Sequence, residues 1–206
     1  MTEDSLTDPT RDRLLRAAGQ VFAEKGFREA TVREICRHAE VNVAAVNYHF
    51  RGKEALYGEA LAYAYREADA RYPLALAEGS AEERLRHYIG NFLRRLLDQS
   101  QLGWHGRLIA REITEPTAAI DGFVATTLIP HGILLHDIVA ELLGPDTDPS
   151  ISSRCALSIM GQCLMYRHGR AVIDRACPEL IAGPDEIERT AEHIVAFSLA
   201  GLRAFS

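Results

Sequence analysis

The stretch that decides the fold is Thr31-Val-Arg-Glu-Ile-Cys-Arg-His-Ala-Glu40-Val-Asn-Val-Ala-Ala-Val-Asn-Tyr-His49. It reads as two short helices joined by a tight turn. Thr31 followed three residues later by Glu34 is a capping box: the hydroxyl takes one backbone N–H, and the Glu side chain reaches back to another. Val32, Ile35, Cys36 and Ala39 recur at helical spacing and form the buried face of this helix. After Glu40-Val41, Asn42 is placed to cap a further helix, Val43 to His49, in which Val46 is the buried residue. So short a helix does not persist alone in water. It is predicted to be held by Val32, Ile35, Val41 and Val46 packing against the helix upstream. Its outward positions are then Asn42, Val43, Ala44, Asn47 and Tyr48, all small or hydrogen-bonding, as close approach to base edges requires. Asn47 suits adenine, and Val43 and Ala44 suit thymine methyls.

The upstream helix has a clear start in Asp8-Pro9, a cap followed by proline where its missing N–H costs nothing. Leu14, Leu15, Ala18, Val21 and Phe22 form one apolar stripe, and Gly26 supplies a left-handed stop. Three short helices with a four-residue connection make a helix-turn-helix, whose second member enters the major groove. Groups suited to phosphate surround it. Thr31 opens a helix whose free N–H groups attract anions, and Arg33, Tyr48, His49 and Lys53 are donors that fix register on a duplex.

The net charge of −6 at first argues against nucleic acid, but its distribution does not. Residues 1–55 hold nine Lys/Arg and nine Asp/Glu, so the whole deficit lies in 56–206. Within 28–53, Arg28, Arg33, Arg37, Arg51 and Lys53 face only Glu29, Glu34 and Glu40. The first quarter is electrostatically distinct from the rest.

Downstream, apolar spacing is helical nearly everywhere and no strand alternation appears. A long fourth helix is expected from Lys53 to Ala77, ended by Gly79. A fifth follows the Ser80–Glu83 capping box to about Asp98, with others near 104–114, 118–143, 150–170 and 185–204. Residues 144–149 and 177–184 are expected as loops, and Pro130 should kink or break the 118–143 segment. The chain is therefore expected to be all-α: an N-terminal three-helix head over 1–52 and a C-terminal helical domain over 53–206, about nine helices in total. The acidic, polar start MTEDSLT is no signal peptide, and no apolar run approaches the roughly 20 residues of a membrane span, so a cytoplasmic protein without a membrane partner is expected. The four cysteines lack C-x-x-C spacing and read as small apolar groups. His131 and His136 are five apart and face differently, so no metal and no cofactor are expected.

The segments Thr31-Val-Arg-Glu-Ile35, Ala39-x-Val41 and Tyr48-His-Phe-x-x-Lys53 resemble the DNA-binding signature of the TetR family over roughly residues 10–57. The resemblance places Thr31, Arg33, Asn42, Val43, Ala44, Asn47, Tyr48, His49 and Lys53 on that family's DNA-contacting positions. Two positions depart from it. Glu40 stands where the family usually has a glycine with left-handed backbone, and Asn47 where an aromatic is frequent. Arg111-Glu-Ile-Thr-Glu-Pro116, with Asp121-Gly-Phe123 and Pro130-His131, is similar to a TetR subfamily with a distinct C-terminal domain.

From Cys155 to Tyr166 and from Ile194 to Leu202 the chain is apolar on more than one face, so those helices must be buried on two sides. One side suits the domain core and the other an identical partner, as in the two-fold four-helix interfaces of TetR relatives; a monomeric core is the alternative. The resemblance implies a repressor, not an enzyme, that binds near-palindromic double-stranded operator DNA as a homodimer and is released by a small-molecule effector. It puts the effector pocket within about 80–175, where Tyr88, Phe92, Trp104, Arg111, Phe123, His131, Gln162 and Tyr166 are candidates, though the same residues also suit a helical core. The rival classes are a small helical enzyme, for which no nucleophile–base pair or phosphate loop is present, and a non-sensing architectural DNA protein, which would be strongly basic.

Overall fold

The computed structural model describes residues 8–97 and 103–205. The expectations for the MTEDSLT start and for the end of the fifth helix at Asp98 lie outside the described residues. Among the described residues the architecture is helical without strands: α1 (Pro9–Glu29), α2 (Val32–His38), α3 (Val43–Phe50), α4 (Lys53–Arg71), α5 (Ala81–Leu97), α6 (Trp104–Thr114), α7 (Ile120–Phe123), a π-helical turn (Val124–Leu128), α8 (Ile129–Leu143), α9 (Pro149–His168), α10 (Arg170–Ala176), a 3₁₀ turn (Pro178–Ile181) and α11 (Glu186–Leu202). The described residues pack as two compact units, one of residues 8–68 with 103–127 and the other of 69–97 with 128–205. The first unit thus takes most of α4 together with α6 and α7.

The start of α1 is as its sequence reads. The Asp8 carboxyl accepts the Thr10 N–H at 2.8 Å, and Pro9 opens the helix. Leu14, Leu15, Ala18, Val21 and Phe22 are all buried. At Gly26 the backbone turns left-handed, with φ 78°, before one last turn to Glu29. Helix α6 lies along α1 because Gly19 leaves room for a ring: a methyl group there would sit 2.0 Å from Trp104. The fourth helix ends at Arg71, six residues before the expected Ala77. Pro73 is the reason, because the residue before a proline is pushed out of the helical region.

A buried carboxyl organises the first unit. Glu112, in α6, is 0% exposed and accepts three hydrogen bonds. The Tyr57 hydroxyl of α4 donates at 2.7 Å, and the Thr117 N–H and hydroxyl each donate at 3.0 Å. Burial, then the bond to Glu112, pushes the Tyr57 hydroxyl well above its ordinary pKa, so it stays a donor. The Arg111–Pro116 segment therefore latches α6 and the loop after it to α4.

In the second unit Leu85, Ile89 and Leu93 of α5 meet Leu135, Ile138 and Val139 of α8, with Ile159 and Cys163 of α9 and Ile194 and Val195 of α11. Burial raises the Cys163 thiol to about 12, so it behaves as an apolar group. The Ser80 box forms in both directions: Ser80 N–H donates to Glu83 at 2.8 Å, and Glu83 N–H to the Ser80 hydroxyl at 3.3 Å. The chain after α4 is tied to α5 by Arg95, which pairs with Asp69 and donates to the Tyr72 carbonyl at 2.7 Å.

Between α7 and α8 the helix widens into the π turn just ahead of Pro130, whose missing N–H and ring would otherwise break the regular ladder. The turns of Ile120–Leu143 nevertheless run for 24 residues, within which an 18-residue window has mean hydropathy 1.5. Contrary to the expectation, one segment is thus long and apolar enough to cross a membrane by length and composition. Its Leu135, Ile138, Val139 and Leu143 are buried in the second unit's core. The expected 177–184 loop holds the 3₁₀ turn instead, started by Pro178.

Replacing Glu112 with Ala orphans the Tyr57 hydroxyl and both Thr117 donors. The unfolding free energy should fall by about 3 kcal/mol in urea titration; a loss below about 1 kcal/mol would mean that the latch is unimportant.

Candidate nucleic-acid interface

The turn between α2 and α3 is a Schellman motif. The Glu40 N–H bonds to the Arg37 carbonyl at 3.3 Å, and the Val41 N–H to the Cys36 carbonyl at 3.0 Å. This pattern needs a left-handed residue at its centre, and Glu40 occupies that place with φ 54°. The backbone therefore has the shape expected for a glycine there, carried by a residue with a side chain. Asn42 then opens α3, its side chain accepting the Ala44 N–H at 3.0 Å. Val46 and Phe50 are the buried residues of α3. They dock it on α1 and α2, where Ile35 and Cys36 are also buried, while Val32 and Val41 are half-buried.

The Thr31 capping box closes on one side. The Glu34 N–H donates to the Thr31 hydroxyl at 3.2 Å, but the Glu34 carboxyl bonds Lys25 at 2.6 Å instead of reaching back. A cation is the stronger partner for a carboxylate. The Lys25 hydrogen bond is also the main reason that Glu34 lies below its ordinary pKa.

Thr31, Arg33, Asn42, Val43, Ala44, Asn47 and Tyr48 are all exposed. Tyr48, 84% exposed, is an aromatic ring held almost entirely in solvent. His49 and Lys53 are placed differently. The His49 imidazole is half-buried 3.7 Å from Asp8, which ties the end of α3 to the start of α1. Lys53 donates to the Arg28 carbonyl at 3.3 Å and lies 4.6 Å from the Phe27 ring centre. Both side chains are engaged by other groups of the first unit. Arg28 and Arg51 are exposed and were not singled out beyond the charge balance. Arg51 is left-handed, φ 60°, at the end of α3. Its pairing with Gly52, ahead of Lys53, is the signal that could have marked it.

The eight pocket candidates divide between the two units. Trp104, Arg111 and Phe123 lie in the first unit, and Tyr88, Phe92, His131, Gln162 and Tyr166 in the second. Trp104 is buried beside Tyr63, and Phe123 is buried near Tyr65. Tyr88 is buried in the second core, with its hydroxyl directed at the His131 carbonyl 3.5 Å away. Arg111 lines a cavity of about 720 Å³ in the first unit, and Gln162 a groove of about 370 Å³ in the second. Among the described residues no three His, Cys, Asp or Glu gather as a metal site.

A short helix presented on two others by a fixed turn, with no strand among the described residues, defines a helix-turn-helix protein. Comparison with known proteins gives the family. The pattern "Bacterial regulatory proteins, tetR family" matches residues 14–60, and "HTH-type transcriptional dual regulator CecR, C-terminal domain" matches residues 81–202. The chain belongs to the TetR family of transcriptional regulators, with a C-terminal domain of the CecR type. It is 28% identical over 135 residues to a probable HTH-type transcriptional regulator, YttP, of Bacillus subtilis strain 168, covering 64% of each chain. It therefore spans less than two thirds of that relative's length. To the dual regulator CecR of Shigella flexneri it is 27% identical over 177 residues, 81% of this chain and 79% of that one. A solved transcriptional regulator from Pseudomonas aeruginosa PAO1 has the same fold, with TM-score 0.70, 23% identity and coverage of 100% and 99%. Regulators of this family are soluble DNA-binding proteins, not enzymes; they usually act as dimers and are often ligand-responsive.

Changing Glu40 to Gly should relieve the left-handed strain and raise stability by roughly 1 kcal/mol in denaturant titration. An unchanged or lower stability would show that the Glu40 side chain supports the turn in some other way.

Proposed function

We propose that this chain is a cytoplasmic repressor whose homodimer binds a near-palindromic operator and is released by a small-molecule effector. Residues 1–52 form the reading head, and 53–206 carry effector binding and dimerisation. The observation that carries the reading is the outward face of α3: Asn47 and Tyr48 stand in solvent beside Val43 and Ala44, on a helix fixed from behind by Val46 and Phe50. Asn47 reads a base edge, Val43 and Ala44 meet methyl groups, and Tyr48, Thr31 and Arg33 take phosphates. Arg28 and Arg51 extend the basic rim. His49 and Lys53 hold the head's ends in place and approach phosphate only from those anchored positions.

The helices α9 and α11 support a dimer. Leu157 is 69% and Phe197 63% exposed, and Met165 and Phe205 are also exposed. A methyl group on Gly161 or Gly201 would meet nothing within 4 Å, which leaves room for a partner's helices to approach closely. Two-fold pairing there presents two heads to half-sites spaced by helical turns. An effector shifts the equilibrium between DNA-bound and released states by its differential affinity for them, with α4 as the lever between head and effector domain.

Fluorescence-anisotropy titration on DNA upstream of the chain's own gene tests the reading. Asn47→Ala and Tyr48→Ala should each weaken binding by about tenfold or more. Arg33→Ala should lower the slope of log affinity against log salt by about 1. Binding equally tight to unrelated sequence would point to an architectural protein. No binding at all would remove the repressor.

For the dimer, Leu157→Asp places a charge on the proposed interface. Sedimentation should show the wild type as a dimer and the variant as a folded monomer. A wild-type monomer, or a variant that stays dimeric, would move the interface elsewhere.

A further inference from the structure

The first unit contains a cavity of about 720 Å³ at the base of the reading head, within the size range of small-molecule sites. The end of α1, Tyr57 of α4 and the α6 end with the loop after it form its wall. It touches the Gly26–Glu29 turn, the covalent link through which α1 leads into α2. Its chemistry is amphipathic. Phe27 and Tyr57, whose ring centres lie 5.1 Å apart, and Pro116 supply apolar surface, while Lys25, Arg28 and Arg111 supply positive charge.

These cations are not equally committed. Lys25 is taken by Glu34 at 2.6 Å. Arg28 makes no ion pair among the described residues. Arg111 lies 3.4 Å from Glu115, and its Nε is buried yet makes no hydrogen bond. The guanidinium is pressed under Gly26, where a methyl group would meet Nε at 2.6 Å. The guanidinium is half-buried at the wall of the cavity, its Nε facing Glu115 without a hydrogen bond, and such a group is a site for an anion that completes its hydrogen bonds. Against an anion stand Glu29 and Glu115, two carboxylates facing three cations.

We propose that this cavity is the effector site and that its ligand is an organic carboxylate with a flat apolar body, the carboxylate on Arg111 and Arg28 and the body against Phe27, Tyr57 and Pro116. The inference rests on the reading of the chain as an effector-responsive DNA binder. It places the ligand on the turn that orients α2, so that residues 25–29 share the site with the domain over 53–206, and of the pocket candidates expected from sequence it uses only Arg111. Bound there, the carboxylate shifts the DNA equilibrium directly at the head.

Amide-shift mapping of the full dimer with benzoate, 1-naphthoate and decanoate tests this, with 1-naphthamide as the neutral control. At least one carboxylate should give saturable shifts centred on residues 25–29 and 111–118, and the amide should not. Arg111→Gln should weaken that binding by about tenfold. Ala118→Trp, on the exposed lip, should block it while leaving the fold intact by circular dichroism. A saturating carboxylate should also move the DNA titration midpoint severalfold in the wild type and not in Ala118→Trp. No shifts there with any carboxylate, equal shifts with the amide, or no effect on the DNA midpoint would overturn the proposal. DNA binding without carboxylate binding would sink this inference alone, whereas no DNA binding would sink the reading it rests on.

Discussion

Everything functional in this molecule depends on an eight-residue helix that could not exist by itself. Helix α3 has too few turns to repay its own nucleation, and it is helical because Val46 and Phe50 are removed from water against α1 and α2. Two local devices fix its direction: the Schellman turn through Glu40 and the Asn42 cap. Because the buried side is so narrow, the opposite side is left free. That division puts Asn47 and Tyr48 in solvent without any further instruction from the fold.

The same logic of small anchors recurs around the head. The Asp8–His49 contact and the Lys53 bond to the Arg28 carbonyl close its two ends. The Glu112 carboxyl locks α6 to α4 through Tyr57 and Thr117. Arg111, next along α6, lies under Gly26. The R-E-x-x-x-P segment is therefore structural at its second residue and faces the head's own turn at its first. One short motif so ties α6 both to α4 and to the turn that ends α1.

Much of this was legible in the sequence because it is written in local chemistry. Caps at Asp8 and Asn42, the Gly26 stop and the apolar stripe of α1 all follow from residues within a few positions of one another, while the left-handed backbone at Glu40 came from the family resemblance. What failed was long-range or competitive. Glu34 was expected to reach back to the backbone, but Lys25, nine residues away in sequence, took it. Pro73 stops α4 early, a signal present in the sequence but outweighed there by Gly79. The pocket candidates were chosen for residue type, and type alone does not reveal that Trp104 and Tyr88 are core residues of different units. Tyr57, Phe27 and Arg28 assemble around Arg111 only once α1, α4 and α6 are packed, and no spacing in the chain announces it.

The most direct test of the central claim is amide-shift mapping of the full-length protein against a duplex taken from upstream of its own gene. The account predicts that the largest shifts fall on residues 42–48 and on the Thr31 cap, with the buried α5 and α8 cores almost unmoved. DNA binding that leaves residues 31–53 unperturbed would contradict it.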